Sequence, residues 1–280
     1  MRRLGLVGLV ALATWACSAS ASANTGHVRV LTYNVAGLPD GFSTEHPSRN
    51  MGRIGQLLVG NDIVLLQEDF AYATALRQSM TFPFQSAPFL RVGRLDFGDG
   101  LSQFAVLPFA PLQREAWRTC HGIVSAYMDC LTPKGFTFTR QTLANGVQVD
   151  VYNVHLDAGG SEGDRHAREM QLAQLSDAIA TRSAGAAVLL AGDTNIRRQE
   201  RGVLERFERQ TGLADVCTAL QCEDPYRIDK IMIRASPTLR WTPQKWGLER
   251  RFVDAEGNPL SDHLAVAAEL GWSSTDKHQD

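Results

Sequence analysis

Short, wholly apolar runs recur along the chain, and they end again and again in a polar residue able to do chemistry. Ala187-Val188-Leu189-Leu190-Ala191 leads into Gly192-Asp193-Thr194-Asn195. A run this short and uniform predicts a strand buried on both faces, broken at the glycine. Residues 62–69 (DIVLLQED) repeat the arrangement and end in Glu68; residues 27–35 (HVRVLTYNV) are β-rich and end at Asn34. Residues 136–143 and 147–156 flank Asn145-Gly146, a pair suited to the positive φ angles of a tight hairpin. The second of these strands puts Asn153 and His155 on one face and Tyr152 and Val154 on the other. Further strands are expected over residues 99–106, 228–234 and 264–270, the last alternating through Val266, Ala268 and Leu270. Helical spacing predicts a helix capped by Ser48 with Ile54, Leu57 and Leu58 inward. A second covers residues 164–182, with Leu172, Leu175 and Ile179 inward, and a third residues 198–210, with Val203, Leu204 and Phe207. Residues 82–94 read as loop or edge structure, and the Pro- and Trp-containing residues 237–247 receive no element. Strands alternating with helices make this an α/β chain.

The first residues do not belong to that pattern. Arg2-Arg3, an apolar run over residues 4–16 and Ala21-Ser22-Ala23 have the layout of a secretory signal peptide cleaved after Ala23. The expected organisation is therefore a signal peptide over residues 1–23, one domain over residues 24–272 and a polar tail over residues 273–280. Cys17 raises lipoprotein anchoring as an alternative, which Thr14-Trp15-Ala16 disfavours. The protein is thus expected to be secreted or periplasmic, and most simply monomeric.

Composition narrows this further. The chain has 280 residues with 28 basic and 30 acidic side chains, and loses Arg2 and Arg3 with the leader. A slightly acidic protein is not built for broad electrostatic capture of polyanions. Four of its five cysteines remain after residue 23, spaced Cys120–Cys130 and Cys217–Cys222. Three pairings are open, and two local disulfides are the simplest.

The polar residues at predicted strand ends are Asn34, Glu68, His155, Asp193, Asn195, Asp229, Asp262 and His263. Each has an ordinary structural reading. Asp193 and Asn195 suit an Asx turn, Glu68 and Asp69 suit a helix start, and a single histidine near a strand end is usually a satisfied polar residue. Taken together, two histidines, four carboxylates and two amides suit a hard, oxygen-seeking cation such as Mg²⁺ or Mn²⁺ with proton transfer, and fit tetrahedral zinc poorly. No nucleophile elbow or Walker loop is present.

These residues with their flanks resemble the endonuclease/exonuclease/phosphatase superfamily, the fold of deoxyribonuclease I and the neutral sphingomyelinases. The matching blocks are Thr-Tyr-Asn-Val at Asn34, Leu-Leu-Gln-Glu at Glu68, Asn-Val-His-Leu at His155, Ala-Gly-Asp-Thr-Asn over residues 191–195, Ile-Asp-Lys-Ile at Asp229 and Ser-Asp-His over residues 261–263. The resemblance implies a four-layer sandwich of two packed mixed β-sheets flanked by helices, and hydrolysis of a phosphodiester by in-line attack of water. It implies Glu68 as main metal ligand with Asn34, and Asp262 beside the metal. Asp193 would activate the water and Asn195 hold it. His263 would handle the proton, oriented by Asp229, and His155 would donate to the phosphate. An acidic or tyrosine partner that many nuclease relatives carry before the first histidine block has no counterpart identified here.

The substrate is less constrained. A lipid headgroup, as in bacterial sphingomyelinases, is suggested by Asn-Val-Ala-Gly-Leu-Pro and Asp-Gly-Leu-Ser, with Trp241, Trp246 and Leu248 as candidates for transient contact with a membrane surface. Packing against the sandwich is the competing reading for these side chains. An extracellular deoxyribonuclease I-like nuclease and a catalytically silent secreted binding module are the alternatives. Arg91, Arg94 and Tyr72 are candidate substrate contacts, against a reading as solvated surface.

Overall fold

Side chains on a strand alternate between faces, so one inward row can change character along its length while the strand stays regular. That happens in five strands of this chain. In β1 (Asn24–Asn34) the row is Val28, Val30, Thr32, Asn34. In β2 (Ile63–Gln67) it is Ile63, Leu65, Gln67. In β7 (Gln148–His155) it is Val149, Val151, Asn153, His155, and in β8 (Val188–Asp193) it is Leu189, Ala191, Asp193. β10 (Asp229–Arg234) runs the other way, from Asp229 through Ile231 to Ile233. The apolar members form one cluster between two sheets, and the polar members all fall at one end of it.

The computed structural model describes residues 24–89, 98–122, 129–130 and 132–275. The leader, Cys17, Arg91 and Arg94 lie outside these. The first sheet adds β3 (Phe84–Gln85), β4 (Ser102–Ala105), β11 (Leu239–Glu249) and β12 (Ala265–Ser274), in the order β11-β12-β1-β2-β4-β3. The second adds β5 (Gln113–Ala116), β6 (Gly135–Thr142) and β9 (Ala214–Asp215), in the order β5-β6-β7-β8-β10-β9. Both sheets are mixed: β1 with β2 and β7 with β8 are parallel, and the other pairs are antiparallel. Helices α1 (Pro47–Leu57) and α2 (Ala73–Gln78) cover the outer face of the first sheet through Met51, Ile54 and Leu76. Helices α3 (Glu162–Arg182) and α4 (Arg201–Thr211) cover the second through Leu172, Leu175, Leu204 and Phe207, with α5 (Val216–Ala219) short beside them. The expected four-layer sandwich is the fold observed.

Several local expectations change. Gly192 does not break its strand; at φ 147°, in a position where any Cβ on residue 192 would lie 2.0 Å from the carbonyl oxygen of Val154, it lets β8 run on to Asp193. Ser48 does not cap α1. His46 occupies that position, Pro47 begins the helix, and Ser48 instead bonds the carboxylate of Asp40. Residues 237–247 lie largely in β11, an edge strand, where a proline interrupts no internal ladder; the register shifts between Pro243 and Lys245. Strand β12 extends two residues into the expected tail because Ser273 and Ser274 pair with Thr25 and Asn24. Both local disulfides form, Cys120–Cys130 and Cys217–Cys222, with Cα separations of 5.4 and 5.1 Å. No helix among the described residues is long and apolar enough to cross a membrane.

Candidate functional site

The polar end of the inter-sheet layer gathers seven of the eight expected residues into contact or near-contact. Asp193 is central. One carboxylate oxygen, Oδ1, accepts from the Asn195 backbone N–H at 2.9 Å, so the Asx turn does form. The other, Oδ2, is left to face the site, 3.2 Å from Asn34 Nδ2, 3.5 Å from His155 Nε2 and 3.7 Å from His263 Nε2. Asp229 lies beside Asp193 because β10 pairs antiparallel with β8 in that register. It binds His263 Nδ1 at 2.9 Å, while Arg227 holds its second oxygen at 3.1 Å. Asn34 Nδ2 also donates to Glu68 Oε1 at 3.1 Å, and His155 Nε2 stands 3.8 Å from that oxygen. Asn195 donates its side-chain amide to the Leu156 carbonyl at 3.1 Å. Asp262 alone is exposed on the rim, and touches the others only through its charge.

Backbone conformation aims these groups. Glu68 and Asn195 both sit at positive φ, 58° and 49°, where an L residue costs on the order of 1 kcal/mol or more. Glu68 is held there by its own carbonyl, which accepts from Gly37 and Phe70. Ser261 fastens the turn that carries His263, donating to the Asn34 carbonyl at 2.7 Å and accepting from His263 N–H. Beneath the site, Gln67 bonds Thr32 and reaches across to Asn153 at 2.7 Å, fixing one sheet against the other.

Electrostatics divide the two histidines. Burial pushes the His155 ring well below its ordinary pKa, with the charges of Lys134 and His263 adding, so it works as a neutral imidazole. Its Nδ1 is buried without a hydrogen-bond partner among the described residues. For His263 burial acts against the charged ring, but the hydrogen bond and charge of Asp229, with Asp193 and Asp262, outweigh it and raise its pKa to about 10. Burial raises Glu68, opposed by Lys134 and Asn34, and raises Asp193, opposed by His263 and Lys134. The charged form of His263 is favoured in the folded state. Its contribution to stability is therefore complete below the ordinary value of 6.5 and fades as pH rises through about 10. Ring-carbon NMR of cation-free protein should accordingly show one histidine protonated far into the alkaline range and one neutral in mild acid. A near-ordinary midpoint for His263 would mean that its pairing with Asp229 is not made in solution.

Three residues of the site leave no periodic signal in sequence. Lys134, before β6, is buried against Asp129 at 2.6 Å, and its charge acts on Glu68, Asp193 and His155. Arg227 supports Asp229. Arg168 is fully buried in α3, forked onto both oxygens of Glu200 at 2.9 Å and donating to the carbonyls of Asp157, Ala158 and Gly159. It thereby ties the segment after His155 to the segment after Asn195. A buried cation is visible only once its acid partner is placed. Tyr72 supports the loop after β1 by accepting from the Asp40 N–H.

The donor set fits a hard divalent cation. Oxygen donors dominate, and burial, which raises the pKa values of Glu68 and Asp193 with smaller help from neighbouring carboxylates, is a cost to their charged forms that a cation would relieve. Glu68, with Oε1 already bonded to Asn34, would offer it a carboxylate. Asn34 would contribute its oxygen only after its amide turns, since Oδ1 accepts from Ala36 N–H. Asp193, Asp229 and His263 form a second compact group, with ligand atoms within 4.8 Å of one another, but the Asp229–His263 bond already occupies it.

Residues 31–263 match the sequence profile of the Endonuclease/Exonuclease/phosphatase family. A sphingomyelinase of Mycobacterium tuberculosis is 31% identical over 261 residues, covering 85% of this chain and 51% of that protein, so the chain spans about half the length of the curated relatives it matches. Among solved structures, a Staphylococcus aureus beta toxin variant with bound magnesium ions superposes with a TM-score of 0.64 at 18% identity, covering 87% of this chain and 99% of that one. D. rerio TDP2 in complex with a single-strand DNA product gives a TM-score of 0.67 at 19% identity, over 87% and 98% of the two chains.

Proposed function

This chain belongs to the Endonuclease/Exonuclease/phosphatase family, and we propose that it is a secreted, divalent-cation-dependent phosphodiesterase that cleaves the headgroup from a sphingomyelin-like lipid. The observation that carries the reading is the convergence of Asp193, both histidines and Glu68 at one end of the inter-sheet layer. The sphingomyelinase relatives and the two disulfides, which suit an oxidising compartment, support it.

A cation at Glu68, Mg²⁺ in the first instance, would supply Lewis-acid stabilisation of charge on the phosphoryl oxygens. The chain's own groups handle the protons. Asp193 Oδ2 takes a proton from the attacking water, its pKa moved by burial toward the range a general base needs. As the bond from phosphorus to the leaving oxygen breaks, the His263 imidazolium supplies that oxygen with a proton. The 3.7 Å separation of His263 Nε2 and Asp193 Oδ2 then lets the proton return and reset the pair. Neutral His155 donates from Nε2 to a non-bridging oxygen, and Asn195 helps to hold the water.

A second reading, an extracellular nuclease, is favoured by arginines directly after Asn195. Arg198 stacks on Tyr226 at 4.1 Å and Arg201 bonds its hydroxyl, leaving a basic, aromatic ledge beside the site. Sphingomyelin vesicles and plasmid DNA, each offered with Mg²⁺ and with EDTA, separate the two. Cation-dependent phosphocholine release alone is expected; DNA nicking without it would transfer the proposal to the nuclease reading.

A further inference from the structure

A lipid-cleaving enzyme must bring its catalytic end to a membrane, and of the side chains expected to help, Trp241 is far from that end while Trp246 and Leu248, nearer to it, are turned onto the core. Trp241 pairs with Trp272, which lies next to Gly26 in the neighbouring pairing, eight residues before Asn34. At about 3.3 Å per residue that is roughly 26 Å from the site. Trp241, Trp246 and Leu248 all pack on the inter-sheet core. With 28 basic and 30 acidic residues, the chain has no net pull toward an anionic surface either.

Of the large apolar side chains left exposed among the described residues, Val59, Phe84, Val106 and Leu107 gather at the opposite end of the first sheet, where Ile63 and Phe84 both pair with Ala105. Met170 lies well along α3. Phe42, 66% exposed, is the one on the loop that leaves β1 at the catalytic end. Its turn is braced. Phe42 and Ser43 donate to the Pro39 carbonyl, Asp40 N–H reaches the Tyr72 hydroxyl, and Ser48 holds the Asp40 side chain. The root of the same loop is bonded to Glu68 through Gly37. A large ring held out on an ordered turn costs little to insert, because its backbone is already fixed.

We propose that Phe42 is the apolar anchor that seats the catalytic end on a zwitterionic, sphingomyelin-containing membrane surface. The proposal rests on the lipid reading above. Its test measures binding apart from turnover. Co-sedimentation with equimolar phosphatidylcholine–sphingomyelin vesicles is run in EDTA for the full chain, Phe42→Ser and Phe42→Trp. Turnover with Mg²⁺ is measured on the same vesicles and on a short-chain sphingomyelin analogue dissolved as monomers. Phe42→Ser should lower vesicle partitioning and vesicle turnover about tenfold, leave monomer turnover unchanged, and be matched by no loss in Phe42→Trp. Equal partitioning of the serine variant, or no partitioning by the parent protein, overturns the anchor. Partitioning that depends on Phe42, without cleavage of either lipid, keeps the anchor and overturns the lipid-cleaving reading.

Discussion

Replacing Asp193 with asparagine should cut turnover by about a thousandfold or more, in the upper part of what a positioned proton-transfer group contributes. The fold should survive. The new side chain keeps an oxygen for the Asn195 N–H, while its amide meets Asn34 Nδ2 as a second donor in place of the lost acceptor. The thermal midpoint should therefore fall modestly without loss of the fold, and the His263 midpoint should fall, because Asp193 is one of the charges that raise it. Steady-state turnover, thermal denaturation and ring-carbon NMR on one preparation check all three. Activity within tenfold of the parent would remove Asp193 from the role of base.

Arg168→Met should destabilise the protein by about 3–5 kcal/mol, the usual consequence of leaving a buried acid without its partner. Glu200, 4% exposed at its side chain, would be that acid. Adding Glu200→Leu should recover most of the loss, because an apolar pair of similar size avoids the desolvation of both charges. Urea unfolding of the single and double variants measures this directly. A single-variant cost below about 1 kcal/mol would show that the clamp is relaxed in solution. Because the clamp joins the segments after His155 and Asn195, turnover in the double variant should stay reduced even where stability returns.

Most of the site is legible in sequence because short apolar runs end in polar residues, and the sandwich itself because those residues with their flanks resemble one family. Asn34, His155, Asp193 and Asp229 are all visible that way, and all fall at the same end of the layer. What stays hidden depends on partners distant in sequence. Lys134 and Arg168 look like surface cations until Asp129 and Glu200 are folded against them. The edge strand β11 was masked by Pro243, which is admissible only because one side of that strand lacks a neighbour. A hydroxyl favours helix starts, which makes Ser48 a cap candidate in sequence, yet the tie to Asp40 takes its hydroxyl elsewhere.

The strand order has a consequence for when chemistry becomes available. The first sheet is assembled from both extremes of the chain, with β12 lying between β1 and β11, and His263 stands just ahead of β12. Glu68 and Asn34 are made early and Asp193 and Asp229 belong to the other sheet, whose strands meet β1 and β2 directly, whereas His263 is delivered only by the turn that leads into β12. His263 is thus the last of the centre's residues to be synthesised, and its placement depends on Ser261 closing onto the Asn34 carbonyl from 227 residues away.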